Sequence, residues 1–344
     1  MSVIGWVKGQ ISTLPYPDED CTGRTVIVTG ANCGLGLEAA RHFVRLNAAK
    51  VILACRSIER GEAAKQDIES STTRRHVVEV WQLDLGSFDS VKDFAARAAK
   101  LDRLDLLLNN ASVLANEWAM LEGHEIMMTV NVISTMLLTV LLLPTLRRTG
   151  TQFNVTPHVT IVSSDAAFMV RACARRRGAL CVADCRDFPC QASFPERKAD
   201  HTFDKLKENK NYRERYNTSK LLQLIFMRRL AEASDASGKG HVLVNALNPG
   251  LCNTQLFRSW SFPLSWVLWL VCAVLGRNPE MGSRTLMTAA LAGEETHGQW
   301  MSSCKLQVWP KVMRGEQGER LADKIWGELA EILEGIEPGA MENI

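Results

Sequence analysis

The sequence predicts a single α/β domain: a doubly wound parallel sheet of about seven strands with helices on both faces. Three observations carry this. Short unbroken apolar runs alternate with longer stretches of helical periodicity, as expected of strands buried on both sides. The alternation keeps one style from residue 22 to about 310, with no internal repeat and no linker. A chain of 344 residues, 46% hydrophobic and 23% charged, can bury a large core and is neither disordered, collagen-like nor a small disulfide scaffold. Length alone, at about 150 residues per domain, suggests two domains. The uninterrupted alternation argues for one, with an N-terminal arm (1–21) and a C-terminal helical extension (311–344) around Leu321 to Leu333.

The elements follow in order. Thr25 to Thr29 (TVIVT) reads as the first strand, and a helix runs through Glu38, Ala39, Ala40, Phe43, Val44 and Leu46. Val51 to Cys55 is the second strand and Glu59 to Glu69 a helix. Val77 to Leu85 is the third strand, followed by a helix from Ser87 to about Leu101. Leu104 to Asn109 is the fourth, and Gly123 to Arg148 a long helix. His158 to Ser163 is the fifth strand, Tyr216 to Ala233 a helix, His241 to Ala246 the sixth strand, and Lys305 to Trp309 a seventh.

Forty basic against 38 acidic residues leave a formal charge of +2, which gives no electrostatic case for nucleic acid. The N-terminus lacks the apolar core and cleavage site of a secretory signal, so a cytoplasmic location is expected. Ten cysteines then read as free thiols or metal ligands rather than disulfides. No transmembrane segment is expected. Val130 to Leu146 is interrupted by Asn131, Ser134, Thr135 and Thr139 and reads as a core helix, and Phe262 to Leu275 is too short to span. The latter, with Trp266 and Trp269, packs on the protein or touches a membrane surface.

The sheet edge where strands end carries the chemistry. After the first strand come Gly30, Ala31, Asn32, Cys33, Gly34, Leu35 and Gly36, and then a helix. Three glycines at a strand-to-helix turn let backbone approach a pyrophosphate, whose charge the helix N-terminus favours. By itself such a turn is also a plain tight connection; its placement supports the dinucleotide reading. The second strand ends in Arg56, with no acidic residue to hold a ribose hydroxyl. A guanidinium there suits a 2′-phosphate, so NADP(H) is favoured over NAD. Asp84 ends the third strand, placed to reach the adenine, and Asn109 and Asn110 end the fourth.

Tyr216 and Lys220, four apart, share one helical face. A phenol titrates near pH ~10, too high for proton transfer at neutral pH, and an adjacent ammonium lowers that value. Alone, this pair is also a common surface arrangement. Ser164 supplies a hydroxyl at the same edge, and Asn131 places an amide inside an apolar helix, where it must find hydrogen bonds.

Taken together, Thr29 to Gly36, Asn109 to Ala111, Asn131, Ser164, Tyr216 to Lys220 and Asn248-Pro249-Gly250 resemble the short-chain dehydrogenase/reductase family, over about Thr22 to Trp309. The stretches GLEAARHFVRL, EGHEIMMTVNV and RYNTSKLL are most similar to fungal members of secondary metabolism, and more distantly to retinol dehydrogenases. The resemblance implies a Rossmann-type domain and an oxidoreductase interconverting a secondary alcohol and a ketone or aldehyde. It implies Tyr216 as general acid/base, Ser164 as carbonyl polariser, Lys220 as the group that lowers the tyrosine pKa and holds the ribose, and Asn131 as positioning a relay water. Gly30, Asn32, Gly34, Leu35, Gly36, Arg56, Asp84, Asn110, Tyr216, Lys220, Gly250 and Thr254 would contact NADP(H). The family also forms homo-oligomers. Ser112 stands where the family usually has glycine, a change expected to be tolerated.

Ser164 and Tyr216 lie 52 positions apart, far more than the family shows. Between them, Val170 to Gln191 holds Cys173, Cys181, Cys185, Cys190 and five arginines. A zinc site is disfavoured, because the cysteines lack paired Cys-x2-Cys knuckles; no metal is expected. An ordinary loop insertion and a translated intron remain, and the second is favoured: Val170-Arg171 can be encoded by a donor-like GTACGT, Ala183-Asp184 by a branch-like CTGAC, and Gln191 by an acceptor CAG. Beyond Gly250, the apolar Leu256, Phe257, Trp260, Phe262 and Trp266 suggest a bulky apolar substrate, or else merely cover the sheet. Two rival readings stand: a non-catalytic NADP-binding sensor or scaffold, and a membrane-surface retinoid or lipid dehydrogenase.

Overall fold

Along Thr25–Thr29 (β1) every residue is buried, and alternate side chains feed two separate apolar clusters: Val26 and Val28 join one, Ile27 the other. That period-two division puts core on both faces of the sheet. The computed structural model describes residues 8–168, 194–254, 273 and 275–344. The atypical segment 170–191 lies outside the described residues, as does the apolar run after Thr254 except Ala273 and Leu275.

The remaining strands are Lys50–Cys55 (β2), Val78–Gln82 (β3), Leu106–Asn109 (β4), Met120–Leu121 (β5), His124–Glu125 (β6), His158–Val162 (β7), Leu243–Asn248 (β8), Trp300–Ser302 (β9) and Lys305–Leu306 (β10). The helices are Gly34–Arg45 (α1), Ile58–Thr72 (α2), Phe88–Ala98 (α3), Thr135–Phe153 (α4), Thr202–Leu206 (α5), Arg215–Ala236 (α6), Pro279–Ala290 (α7) and Gly315–Ile336 (α8). The main sheet has eight strands in the order β10-β9-β8-β7-β4-β1-β2-β3, all parallel except the terminal hairpin β9–β10. Order reverses beside β1, between β4 and β2, where open α/β sheets bind ligands. One apolar cluster takes residues from α3, α4, α6 and α8, the other from α1, α2 and α7.

Several expectations are corrected. The sheet has eight strands rather than seven, because Ser303 and Cys304 turn with positive φ and fold Lys305–Leu306 back on β9. The run read as a seventh strand supplies only its first two residues. The sixth strand lies two residues later than expected and reaches Asn248. The expected helix from Gly123 to Arg148 is broken at its start. Glu122 and Gly123 adopt positive φ to close the β5–β6 hairpin. Glu125 then accepts hydrogen bonds from the Met127 and Met128 amides (3.1 and 3.2 Å), and a π-helical stretch, Met128–Ser134, precedes α4. The continuous helical run Met128–Phe153 has the length and hydropathy (1.8) of a membrane span, but 89% of its most apolar window is buried in the protein, as in a core helix. Helix α7 was not anticipated.

Both terminal regions join the domain. From α8, Ala322, Ile325, Leu329 and Leu333 enter the same core as α6. In the arm, Tyr16 lies between the Arg45 and Arg284 guanidiniums, 4.5 and 4.9 Å from its ring centre.

Candidate functional site

The glycine-rich turn links β1 to α1. Gly30 and Gly34 have φ of +67° and +60°, values that side chains resist. Gly36 is required for space: a Cβ there would lie 2.5 Å from Asn110 Nδ2 and 2.8 Å from the Gly30 carbonyl. Asn110 braces this turn, its amide donating to the carbonyls of Thr29 (2.9 Å) and Gly30 (3.3 Å). Thr29 Oγ1 accepts from the Asn110 and Ala111 amides in return (3.0 and 2.9 Å). Asn109 is spent elsewhere, on Thr139 in the core.

Helix α1 begins without a side-chain cap and has no acid in its first turn. Helices α2, α3 and α7 are capped by Ser57, Ser87 and Asn278, whereas α4, α5, α6 and α8 share with α1 the lack of a side-chain cap. Uncapped amide groups at the end of a positive dipole favour an anion. Asn32 and Leu35 flank this point, half-buried, and Thr254 packs across it, its Cγ2 3.6 Å from a Cβ built on Gly34. Arg56, exposed at the end of β2, has no ion-pair partner among the described residues. Asp84 closes its own turn by accepting from the Gly86 amide (2.9 Å). Gly250 has φ of +78° and sits beneath Gln10 and Arg277, where a Cβ would come within 2.7 Å of Gln10 Oε1. Gln10 is bonded on both sides: to Leu251 N and O (3.1 and 2.5 Å) and to the Leu275 carbonyl (2.9 Å). These residues fit a dinucleotide, with backbone for the pyrophosphate and a cation for a 2′-phosphate.

The other half of the site rests on α6. Tyr216 is half-buried, and the hydroxyls of Ser164 and Ser112 act on its phenol. Burial pushes this phenol up to about 12, while the two serine hydroxyls pull in the opposite direction. Lys220 is 1% exposed, with Nζ 5.6 Å from the Tyr216 ring centre. Burial pushes it down to about 7. Nζ donates to the Val162 carbonyl (2.9 Å) and to Gln223 Oε1 (3.1 Å).

Asn131 lies in the π-helical stretch, fully buried, a common location for π turns. Its side chain accepts from the Val113 amide (2.8 Å) and Ser112 Oγ (3.2 Å), and donates to the Val113 carbonyl (2.9 Å) and Ser219 Oγ (3.0 Å). Its main-chain oxygen accepts from Gln223 Nε2 (2.6 Å). Ser164, Tyr216, Lys220 and Asn131 are therefore brought together at the carboxyl edge of the sheet. Sequence reasoning missed Ser112, whose hydroxyl acts on the Tyr216 phenol, and Gln223, which joins Lys220 to Asn131. Ser112 was visible as a departure from a glycine; Gln223, one turn after Lys220, carried no local signal.

Just ahead of Tyr216, Arg215 forms a buried ion pair with Glu196 (2.7 Å) and donates to the Glu208 and Lys210 carbonyls, locking segment 194–214 to the start of α6. Away from the site, Asp235, His241 and His297 place ligand atoms within 4.8 Å of one another. The Val244 amide donates to His297 Nδ1 (3.2 Å), so the proton of that ring sits on Nε2, facing Asp235. Both nitrogens of His241 face carboxylates at 2.9 Å. The cluster is a polar clasp in which both imidazoles face carboxylates.

A glycine-turn nucleotide cradle opposite a tyrosine beside a buried lysine defines a dinucleotide-dependent oxidoreductase. The comparisons specify it. Residues 24–174 match the short chain dehydrogenase family. The short chain dehydrogenase/reductase dmxR8 of Cryptosporiopsis sp. is 40% identical over 99% of this chain and 100% of its own. The short chain dehydrogenase atnD of Emericella nidulans is 43% identical over 86% of this chain and 88% of its own. The chain belongs to the short-chain dehydrogenase/reductase family, enzymes that use a nicotinamide dinucleotide. Among solved structures, the NADPH-bound carbonyl reductase from chicken fatty liver shares the fold with a TM-score of 0.58 at 19% identity, covering 84% of this chain and 100% of that one.

Proposed function

We propose that this protein is an NADP(H)-dependent enzyme interconverting a secondary alcohol and a ketone or aldehyde on a bulky apolar small molecule, in secondary metabolite biosynthesis. The observation that carries the reading is Tyr216 with the buried Lys220 Nζ 5.6 Å from its ring centre, and the Ser164 hydroxyl acting on the same phenol. NADP(H) supplies the hydride chemistry when bound. Tyr216 gives its proton to the carbonyl oxygen during reduction and takes one from the alcohol during oxidation. Ser164 donates a hydrogen bond to the same oxygen. The Lys220 cation opposes the upward push of burial on the phenol, because opposite charge favours the phenolate. Arg56 selects the 2′-phosphate, and the amide groups opening α1 hold the pyrophosphate.

The test is NADPH consumption with a panel of apolar ketones. Turnover that is lost in Tyr216→Phe supports the reading. Cofactor binding without turnover, unchanged by Tyr216→Phe, favours a sensor of the same fold. We also propose that residues 170–191 are a translated intron. The family match stops at residue 174, inside this segment. Sequencing of the mature transcript decides: a message retaining the segment overturns this proposal.

A further inference from the structure

Lys220 has two acceptors, the Val162 carbonyl and Gln223 Oε1. The other end of the Gln223 amide donates to the Asn131 carbonyl at 2.6 Å, and Gln223 is 1% exposed. We propose that Gln223 is a positioning residue for the reaction: a fixed amide bridge that orients Lys220, keeps it charged and ties it to the π-helical stretch, in place of mobile water. The inference rests on the proposed role of Lys220 and Tyr216.

Three physical arguments support it. An ammonium has three protons to place, and at 1% exposure Lys220 cannot turn to solvent. Each acceptor favours the charged form against burial, and among the described residues Gln223 supplies the one side-chain acceptor. An amide also has fixed polarity: Oε1 accepts from the lysine while Nε2 donates to Asn131, so the bridge orients without carrying a proton. Finally, Asn131 cannot turn away, because its own side chain is held by Val113, Ser112 and Ser219. The bridge thus ends on a rigid point.

The charged groups near this network are few. On the same helix as Lys220, Tyr216 is preceded by Arg215, which is paired with Glu196; Asp165 follows β7, and it acts on Arg277. Glu319 and Asp323 on α8 face α6 at Arg228 and Arg229, more than two turns from Lys220. The π-helical stretch and β8 contain no titratable side chain.

The experiment compares Gln223→Met, which keeps the volume and removes both hydrogen bonds, with Gln223→Ala, which opens room for a water between Lys220 and Asn131. In the full chain, Gln223→Met is expected to lower kcat about tenfold, with KM for NADPH within about twofold. It should also move the acid limb of alcohol oxidation upward, because a less charged Lys220 leaves the phenol harder to ionise. Gln223→Ala should lose less kcat than Gln223→Met, although it leaves the larger cavity and the lower Tm. A packing role gives the reverse ranking in kcat.

A second arm needs no turnover. The stability cost of Gln223→Met should be larger at about pH 6, where Lys220 is charged, than at about pH 9, where it is neutral. That pH dependence should vanish in a Lys220→Met background. Equal costs at both pH values, or an undiminished dependence without Lys220, overturn the proposal. Absence of turnover in the wild type with this coupling intact counts against the proposed function alone.

Discussion

The two halves of the site are built from different materials. Around the β1–α1 turn, the groups aimed at a ligand are main chain: glycines at positive φ, amides of an uncapped helix, and Asn110 serving as a brace. Around α6, the working groups are side chains: Ser112, Asn131, Ser219, Gln223 and Lys220 are linked by hydrogen bonds, and Tyr216 and Ser164 stand beside them. The first half is intolerant of added atoms. The second is intolerant of removed donors and acceptors, since a buried polar group left alone costs about 1–3 kcal/mol.

That contrast can be broken on either side. The largest effect is expected from Tyr216→Phe, which should lower kcat by about a thousandfold with NADPH affinity within about twofold, measured by turnover and fluorescence titration. Gly36→Ala should act on the other half alone. Its Cβ would meet Asn110 and the Gly30 carbonyl, costing about 2 kcal/mol of stability and weakening NADPH binding at least about tenfold by calorimetry. Loss of turnover with unchanged binding in Gly36→Ala would erase the distinction. Arg56→Glu should reduce the preference for NADPH over NADH by about tenfold or more, as the loss of a charge-assisted contact predicts. Ser112→Gly should reduce kcat about threefold and raise the acid limb of alcohol oxidation, because one hydroxyl fewer supports the phenolate.

The smallest effect concerns stability. Burial, aided by Arg45, holds His42 down at about 4, and burial does the same for His158. The unfolded chain takes up protons that the folded one refuses. Stability should therefore be full above about pH 6.5 and fall as pH drops toward about 4. Tm against pH should decline less steeply in His42→Gln; an unchanged slope removes His42 from the account.

The contrast also explains what was legible in the sequence. A main-chain cradle needs glycines at set places after an apolar strand, and Gly30, Gly34 and Gly36 show this locally. Tyr216 and Lys220 share one turn of helix and are equally visible. The hydrogen-bond network is not local: Gln223 meets Asn131 across 92 residues and Ser219 meets it across 88. The break before α4 was hidden because Ile126 to Leu146 is apolar enough to pass for one helix, whereas positive φ at Glu122 and Gly123 and the π turn are backbone events. Helix α7 did carry its signal, Asn278 as cap with Pro279 following, but its apolar face is modest and is completed by packing on α1, β7 and β8.

The Gln10 contacts have a consequence for the order of assembly. Their partners lie 241 and 265 positions downstream, and the Arg284–Leu14 bond spans 270. A ribosome adds residues at about 5–20 per second, so the arm waits on the order of tens of seconds for its seat to be synthesised. During that interval the first strands can pair, since β1, β2 and β3 follow closely in the chain, but the turn holding Gly250 has no lid from the arm. The arm is thus among the last parts to settle, and a nascent chain that stalls before α7 leaves both the arm and the face of α1 that α7 covers without their partner.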